Sequence, residues 1–200
     1  MPGPVFLSSD ELSLHPIEES DGRFCQRLLN DPRVRTRIAS TDPITAHGER
    51  AWIENQAERD GFHFLICRGP DAPDTDASES VDEIDLEPVG TIGLTPKNQV
   101  WGTAEIGYSI APEHWCNGYA TDAVSLVCGY AFEERRLSKL YAITLSTNPG
   151  SGRVLEKNGF EQEGRLREEA FVDGERVDAL RYGLLATEWF DNEDATAVSR

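Results

Sequence analysis

A stretch near the middle of the chain constrains the fold more than any other, because it joins a strand to a helix through a short glycine-containing turn. Apolar residues recur along the helix with the spacing of one buried face: Ala120, Ala123, Val124, Val127, Cys128 and Ala131. The preceding strand, from Ala104 to Ile110, has to stop at Pro112, which lacks a backbone N–H. The stretch from Glu105 to Arg136 therefore predicts a strand, a turn and an amphipathic helix.

The turn between this strand and this helix has the features of an anion site. Gly118 can adopt a positive φ, and Ala120 is too small to obstruct a ligand that approaches the backbone. The unpaired N–H groups of the first helical turn would then point at one spot, where the helix dipole also favours negative charge. We therefore predict a diphosphate-binding turn made of Cys116, Asn117, Gly118, Tyr119, Ala120 and Thr121.

A second motif, N-P-G-S-G-R-V-L-E-K-N-G-F, runs from Asn148 to Phe160. It predicts a short helix capped by Asn148, with Pro149 at its first position and Gly159 just past its end. Together the two motifs resemble the GCN5-related N-acetyltransferase (GNAT) superfamily, the first its acyl-CoA-binding turn x-x-G-x-A and the second its block N-x-x-S-x-R-V-L-E-K-x-G-F. The second motif is most similar to the branch that acetylates ribosomal-protein alanine and serine residues. The resemblance extends from Leu12 to Trp189.

Composition excludes several other classes of protein. The chain has 200 residues, enough for one domain, and its net charge of −17 argues against a nucleic-acid partner. It has no apolar run of ~18 residues and no signal-peptide pattern, so we expect a cytoplasmic protein without a membrane partner. Its basic residues are arginines except for Lys97, Lys139 and Lys157, and such an acidic, lysine-poor composition resembles proteins from salt-adapted cytoplasms.

The cysteines do not indicate a metal site. Cys25, Cys67, Cys116 and Cys128 form no C-x-x-C pair and have no histidine at ligand spacing, so we expect buried small side chains or free thiols and no metal. Cys116 differs because it lies in the predicted anion turn, where a helix N-terminus can activate a thiol. We interpret it as a spectator.

The order of the remaining elements predicts an α/β fold around a single mixed, largely antiparallel central sheet flanked by helices. Strands are predicted at 11–15, 62–67, 89–94, 101–110, 139–145, 160–171 and 176–185, and early helices at 21–30 and 45–60. We expect a lead at 1–10, a domain at 11–190 and a flexible tail at 191–200. Residues 69–88 carry eight acidic side chains and no basic one, which predicts a solvated hairpin insertion rather than a calcium loop.

The resemblance implies a reaction and a set of site residues. Acetyl-CoA would donate its acetyl group directly to an amine, with no metal and no covalent enzyme intermediate. Its pantetheine would lie between the strand that ends at Ile110 and the strand that starts near Tyr141, bound by the Ile110 backbone and the Asn148 side chain. Glu105 is our candidate base, acting through water, and Ser151 or Tyr141 is the candidate proton donor for the thiolate.

Other assignments remain open at this level. Asn117 stands where relatives often carry a basic residue, so the electrostatic part of phosphate binding is in doubt. His114, Glu168 and Glu169 are alternatives to Glu105 as the base, and Glu105 could instead be a solvated carboxylate. Ser151 could serve only the helix cap, and we interpret Lys157 as a surface residue.

The acceptor is predicted from the chemistry of amines. An α-amine with a pKa of about 8 loses its proton at neutral pH far more readily than a lysine amine at about 10.4, which favours a protein or peptide N-terminus. The alternatives are a small amine of the antibiotic or polyamine type, and a module that binds acyl-CoA without catalysis. The chain lacks the nucleotide-binding motifs G-x-x-x-x-G-K-[ST] and G-x-G-x-x-G. Family analogy also suggests a homodimer formed through the C-terminal hairpin.

Overall fold

The computed structural model describes residues 2–55, 61–69 and 86–198, and these contain one eight-stranded sheet flanked by helices. The strands are β1 (Leu7–Ser8), β2 (Leu12–Pro16), β3 (Phe62–Arg68), β4 (Glu87–Asn98), β5 (Thr103–Ile110), β6 (Lys139–Leu145), β7 (Glu161–Val172) and β8 (Glu175–Leu185). The helices are α1 (Gly22–Asn30), α2 (Pro32–Arg35), α3 (Ala46–Glu54), α4 (Tyr119–Gly129), α5 (Pro149–Lys157) and α6 (Ala186–Val198). The sheet order is β1-β2-β3-β4-β5-β6-β8-β7, which confirms the predicted fold class.

Strands β5 and β6 form the single parallel pair of the described sheet, and all other neighbours are antiparallel. Their pairing covers Thr103 to Glu105 on β5 and Lys139 to Tyr141 on β6. Beyond these residues β5 continues to Ile110 and β6 to Leu145 without further pairing to each other. The two strands therefore diverge, and a cleft opens in the middle of the sheet.

Helix α4 provides the crossover that a parallel pair requires, and it covers one face of the sheet. Its predicted apolar stripe is confirmed, because Ala123, Val124, Val127 and Cys128 are fully buried in the main core. The core continues onto Ile106 of β5 and neighbouring strands. A π-helical turn, Tyr130–Glu134, ends the helix.

Helices α1, α2 and α3 cover the other face near β3 to β5. Cys25 of α1 packs with Leu65 and Cys67 of β3, and a second small cluster joins Leu28 and Val34 to residue Ala111 after β5. Since residues alternate between the faces of a strand, Glu105, Gly107 and Ser109 of β5 lie on the α1 side, and Tyr108 lies on the α4 side.

Several elements have bounds that differ from the predicted ones. The lead joins the sheet, because Leu7 and Ser8 pair with β2. The expected tail from Asp191 is helical as far as Val198, since no glycine or proline interrupts α6 after the buried Trp189. The helix expected at 45–60 ends at Glu54; residues 56–60, and residues 70–85 of the acidic loop, lie outside the described residues.

Candidate active site

A cavity of about 870 Å³ lies where β5 and β6 diverge. Its donor side is formed by the turn before α4 and by the N-terminal part of α5, and includes Gly118, Ser151 and Arg153. Its acceptor side is formed by α1, α3, β3 and the α1-facing residues of β5, and includes Glu49 and Glu105. The predicted site residues of two distant motifs thus meet in one place.

The predicted anion turn lies on the donor side. Gly118 is the N-cap of α4 with φ +91°, and Cys116 also has a positive φ, +66°. A non-glycine residue in this region costs of order 1–3 kcal/mol, so the fold holds a strained turn. Thr121 N and Asp122 N already donate to Gly118 O, whereas the described chain offers no acceptor to the N–H groups of residues 117–120.

Most of the predicted turn lines the cavity: Cys116, Gly118, Tyr119, Ala120 and Thr121. Asn117 is exposed and is not part of the wall. An added Cβ at Gly118 would meet no atom within 4 Å, which leaves room beside the turn for a ligand.

Positive charge reaches the donor side from α5 rather than from the turn. Arg153 and Lys157 both line the cavity, and their spacing of four residues places them on one helical face. Lys157 is a surface residue as predicted, and its exposed side chain also borders this cavity. The spacing in the second motif was the signal that could have revealed the pair, which can offset the missing charge at Asn117.

The N-terminus of α5 is built as the second motif predicts. Asn148 Oδ1 accepts a hydrogen bond from Ser151 N at 3.4 Å, which is the expected cap. The Ser151 hydroxyl lies 2.9 Å from the hydroxyl of Tyr108, and Tyr108 also donates to Ser151 O at 3.1 Å. Burial raises the pKa of Tyr108 to about 12, so its phenol is neutral at ordinary pH. The motifs alone did not identify Tyr108.

Trp115 and Arg37 bridge the mouth of the donor side. Trp115 Nε1 donates to Ile110 O at 2.8 Å, so the carbonyl predicted to pair with pantetheine is already bound by an indole. Arg37 donates to Asn148 Oδ1 at 3.3 Å, and its guanidinium lies 4.6 Å from the Trp115 ring centroid. Two predicted ligand-binding groups, Ile110 and Asn148, therefore line the cavity and are held by the protein itself.

Glu105 lies on the acceptor side at the point where β5 and β6 separate. Its Oε2 atom is 2.9 Å from Nζ of Lys97, and the hydrogen bond that Lys97 donates to Glu105 raises the pKa of the lysine. The side chain of Glu105 is one-third exposed. A partly solvated carboxylate at this position can accept a proton through water.

Tyr141 is not brought into the cavity. It lies in the part of β6 that still pairs with β5, and its ring packs beneath the guanidinium of Arg181 at 4.1 Å. Among the alternative bases, Glu168 and Glu169 lie on β7 away from this cavity, whereas His114 lines it and lies 3.5 Å from Glu87.

The cysteines are arranged as predicted, with Cys116 exposed and Cys25, Cys67 and Cys128 buried as free thiols. Burial raises the pKa of the Cys25 and Cys67 thiols to about 12, so they are unreactive at neutral pH. Within residues 2–55, 61–69 and 86–198, no group of three or more His, Cys, Asp or Glu side chains is placed to hold a metal ion.

Comparison with known proteins decides the family. Residues 11–161 match the model of the acetyltransferase (GNAT) domain. The chain belongs to the GNAT acetyltransferase family. It is an acetyl-CoA-dependent N-acetyltransferase, and acetyl-CoA is its co-substrate. In the described residues, no helix has the length and apolarity that crossing a membrane requires.

Individual GNAT relatives differ in the substrates that their names state. The chain is 30% identical to the spermidine N(1)-acetyltransferase of Escherichia coli K12 over 179 residues, 87% of this chain and 86% of the relative. It is 39% identical to the putative ribosomal N-acetyltransferase YdaF of Bacillus subtilis over 100 residues, about half of either chain. Its fold matches the spermidine N-acetyltransferase of Vibrio cholerae, crystallised with CoA and spermine, with a TM-score of 0.77 at 24% identity over 91% of this chain and 99% of the other.

Proposed function

We propose that this GNAT enzyme acetylates a primary amine by direct attack on the acetyl-CoA thioester in the cleft between β5 and β6. One observation carries the proposal: a strained amide-rich turn, the Tyr108–Ser151 pair and the Glu105 carboxylate all border the same cavity. In the reaction the amine nitrogen bonds to the carbonyl carbon, the carbon–sulfur bond breaks, and the departing thiolate takes up a proton. The amine loses one proton to the base.

Each step has a candidate group. The N–H groups at the start of α4, with Arg153 and Lys157, would bind the diphosphate, since both backbone donors and positive charge favour an anion. Glu105 would remove the amine proton through water. Ser151 would donate a proton to the thiolate while Tyr108 fixes its position. Tyr141 has no role in this proposal, because its ring lies outside the cavity beneath Arg181.

For the acceptor, our first candidate is the N-terminal α-amine of a protein or peptide. A single, partly solvated carboxylate is better matched to an α-amine of pKa about 8 than to an alkyl amine above 10. The similarity to YdaF, named as a putative ribosomal N-acetyltransferase, supports this candidate. A small polyamine is the second candidate, supported by the 30% identity to the E. coli spermidine enzyme over most of both chains.

An acceptor panel tests the proposal. Peptides beginning with alanine or serine, their Nα-blocked forms with a free lysine, and spermidine are each incubated with acetyl-CoA, and released CoA thiol is measured. Turnover of the free α-amine peptides but not of the blocked forms supports the first candidate, and turnover of spermidine alone supports the second. Binding of acetyl-CoA without turnover of any amine would contradict the proposed catalysis and favour an acyl-CoA-binding module.

Two further expectations belong to the proposal. A homodimer is expected by family analogy, and the cytoplasm remains the predicted location. The molar mass in solution, measured by light scattering, tests the first.

A further inference from the structure

Glu49 is a buried carboxylate on the acceptor side of the cavity. It is the fourth residue of α3, whose N-cap Thr45 accepts a hydrogen bond from Gly48 N. Only 5% of its surface is exposed, and it lines the same cavity as Glu105. An added Cβ at Gly22 of α1 would lie 3.9 Å from its Cγ atom, so the side chain reaches the α1–α3 interface. Glutamate is almost never this deeply buried without a partner.

No such partner exists among the described residues. Oε1 of Glu49 is buried and receives no hydrogen bond from any of them. Glu105, the other carboxylate in the described cavity wall, has Lys97 at 2.9 Å. Desolvation raises the pKa of Glu49, which is the response of a carboxylate that lacks a cation. The fold thus keeps an acceptor for positive charge inside the cavity where the amine substrate has to bind.

The surroundings of Glu49 favour an alkylammonium group as the missing partner. Trp52 and His63, which line the same side, pack edge to face with ring centroids 4.9 Å apart. Aromatic walls attract alkylammonium ions and accept their methylene chains. Opposite His63 the sheet carries Gly93, where a Cβ would clash with the imidazole, and next to it Gly107, where a Cβ would meet nothing within 4 Å. The floor of this side therefore has room for a slender chain.

We propose that Glu49 is a specificity-determining residue that binds the second, non-reacting ammonium group of a small diamine, which belongs to the second acceptor candidate, the small polyamine. The reacting amine would lie near Glu105 at the divergence of β5 and β6, and the other end of the molecule would reach Glu49. This role of Glu49 in substrate choice rests on the proposed amine acetylation, but the binding of a diamine at Glu49 can be measured without catalysis. A monoamine of equal length fills the same volume but leaves the Glu49 carboxylate unpaired. Glu49 would therefore distinguish a diamine from a monoamine by the second positive charge.

The test compares α,ω-diaminoalkanes with n-alkylamines of the same chain length, first by calorimetry in the presence of CoA. Wild-type protein is expected to bind the best diamine roughly ten- to a hundredfold more tightly than its monoamine, the range for a hydrogen-bonded charge pair. Glu49→Gln should remove that preference. Glu54→Gln, an exposed residue on the same helix, is the matched control and should retain it. Equal binding of diamines and monoamines by wild type overturns the proposal, whether or not Glu49→Gln folds.

Turnover separates this inference from the proposed function. With acetyl-CoA present, Glu49→Gln should raise KM for the diamine by a similar factor and leave its kcat, and the KM for the monoamine, within about threefold. Loss of diamine preference in binding with no turnover in any variant would support Glu49 and contradict the proposed catalysis. Turnover of peptide α-amines with no diamine preference would support catalysis and contradict the role of Glu49.

Discussion

Replacing Tyr108 with phenylalanine tests the structure of the donor side in the most detail. The change removes a hydroxyl that lies 2.9 Å from Ser151 Oγ and donates to Ser151 O at 3.1 Å. A buried hydrogen bond of this kind contributes about 0.5–1.5 kcal/mol to stability. For a domain of this size the melting temperature should fall by about 1–6 °C. Tyr182→Phe removes a comparable hydroxyl, bonded to Glu156 at 3.2 Å, and should destabilise the fold similarly.

Activity distinguishes the two tyrosines. If Tyr108 positions the serine that protonates the thiolate, Tyr108→Phe should lower kcat about tenfold and Ser151→Ala about a hundredfold, the low end for general acid catalysis. Neither change should raise KM for acetyl-CoA by more than about threefold. Tyr182→Phe should leave kcat intact, because Tyr182 lies outside the cavity wall. The assay is steady-state release of CoA thiol, and an unchanged kcat in Ser151→Ala would refute the assigned role.

The pKa of Tyr108 adds a dependence on pH. Burial raises this pKa from 10.0 to about 12. The folded state therefore holds the phenol proton more tightly than the unfolded chain. The resulting contribution to the free energy of unfolding is complete below pH 10 and is lost as pH rises toward 12. Two pKa units correspond to about 2–3 kcal/mol. The stability advantage of wild type over Tyr108→Phe, measured by urea unfolding from pH 8 to 11, should shrink above pH 10, by about 1.4 kcal/mol at pH 11; parallel curves would contradict the burial argument.

Three further changes test the rest of the site. Glu105→Gln should lower kcat by at least about a hundredfold while acetyl-CoA binding is retained, as measured by steady-state kinetics and calorimetry; full activity would eliminate it as the base. Replacing Arg153 and Lys157 together by glutamine should weaken acetyl-CoA binding about tenfold at low salt and less in 1 M salt, where screening shortens the Debye length to ~3 Å; an unchanged dissociation constant would show that α5 does not contact the phosphates. A thiol reagent at neutral pH should label Cys116 alone in the folded protein, and acetyl-CoA should slow that labelling; rapid reaction of a buried cysteine would contradict the packing.

Much of the fold follows from periodic patterns in the sequence. Strand β6 and the capped helix α5 agree with their predicted positions, because both have a strong local signal: Lys139 to Leu145 is a bounded apolar run, and Asn148, Pro149 and Gly159 mark helix ends. The position of the cleft, in contrast, depends on the order and pairing of the strands, which local sequence patterns do not determine. Only when β5 pairs in parallel with β6 at three positions, and then stops, do the two motifs face one cavity.

The residues that the sequence did not reveal are those defined by packing between distant elements. Tyr141 was predicted to protonate the thiolate from its place on β6, but its ring packs against Arg181 of β8 and does not line the cavity. Tyr108 was overlooked because its partner Ser151 is 43 residues away. Glu49 looks like an ordinary surface residue of an amphipathic helix, and its burial against α1 appears only in three dimensions.

The segment predicted as a lead, residues 1–10, shows that very short elements are also difficult to predict from the sequence. Leu7 and Ser8 carry no periodic signal of their own, yet they pair with β2, and Phe6 stacks on Phe64 with ring centroids 5.2 Å apart. A two-residue strand is specified by its neighbours rather than by its own propensity.

The most direct test of the account is acetyl-CoA binding by calorimetry in high-potassium buffer to wild type, Gly118→Glu and Gly174→Glu. Both glycines have a positive φ, +91° and +87°, and neither Cβ would meet an atom within 4 Å, so the two variants carry similar backbone strain. Gly118 borders the proposed diphosphate site, whereas Gly174 lies in the turn between β7 and β8. We predict micromolar binding by wild type and Gly174→Glu, and none by Gly118→Glu. Equal binding by both variants, or none by folded wild type, would contradict the donor site on which the mechanism depends.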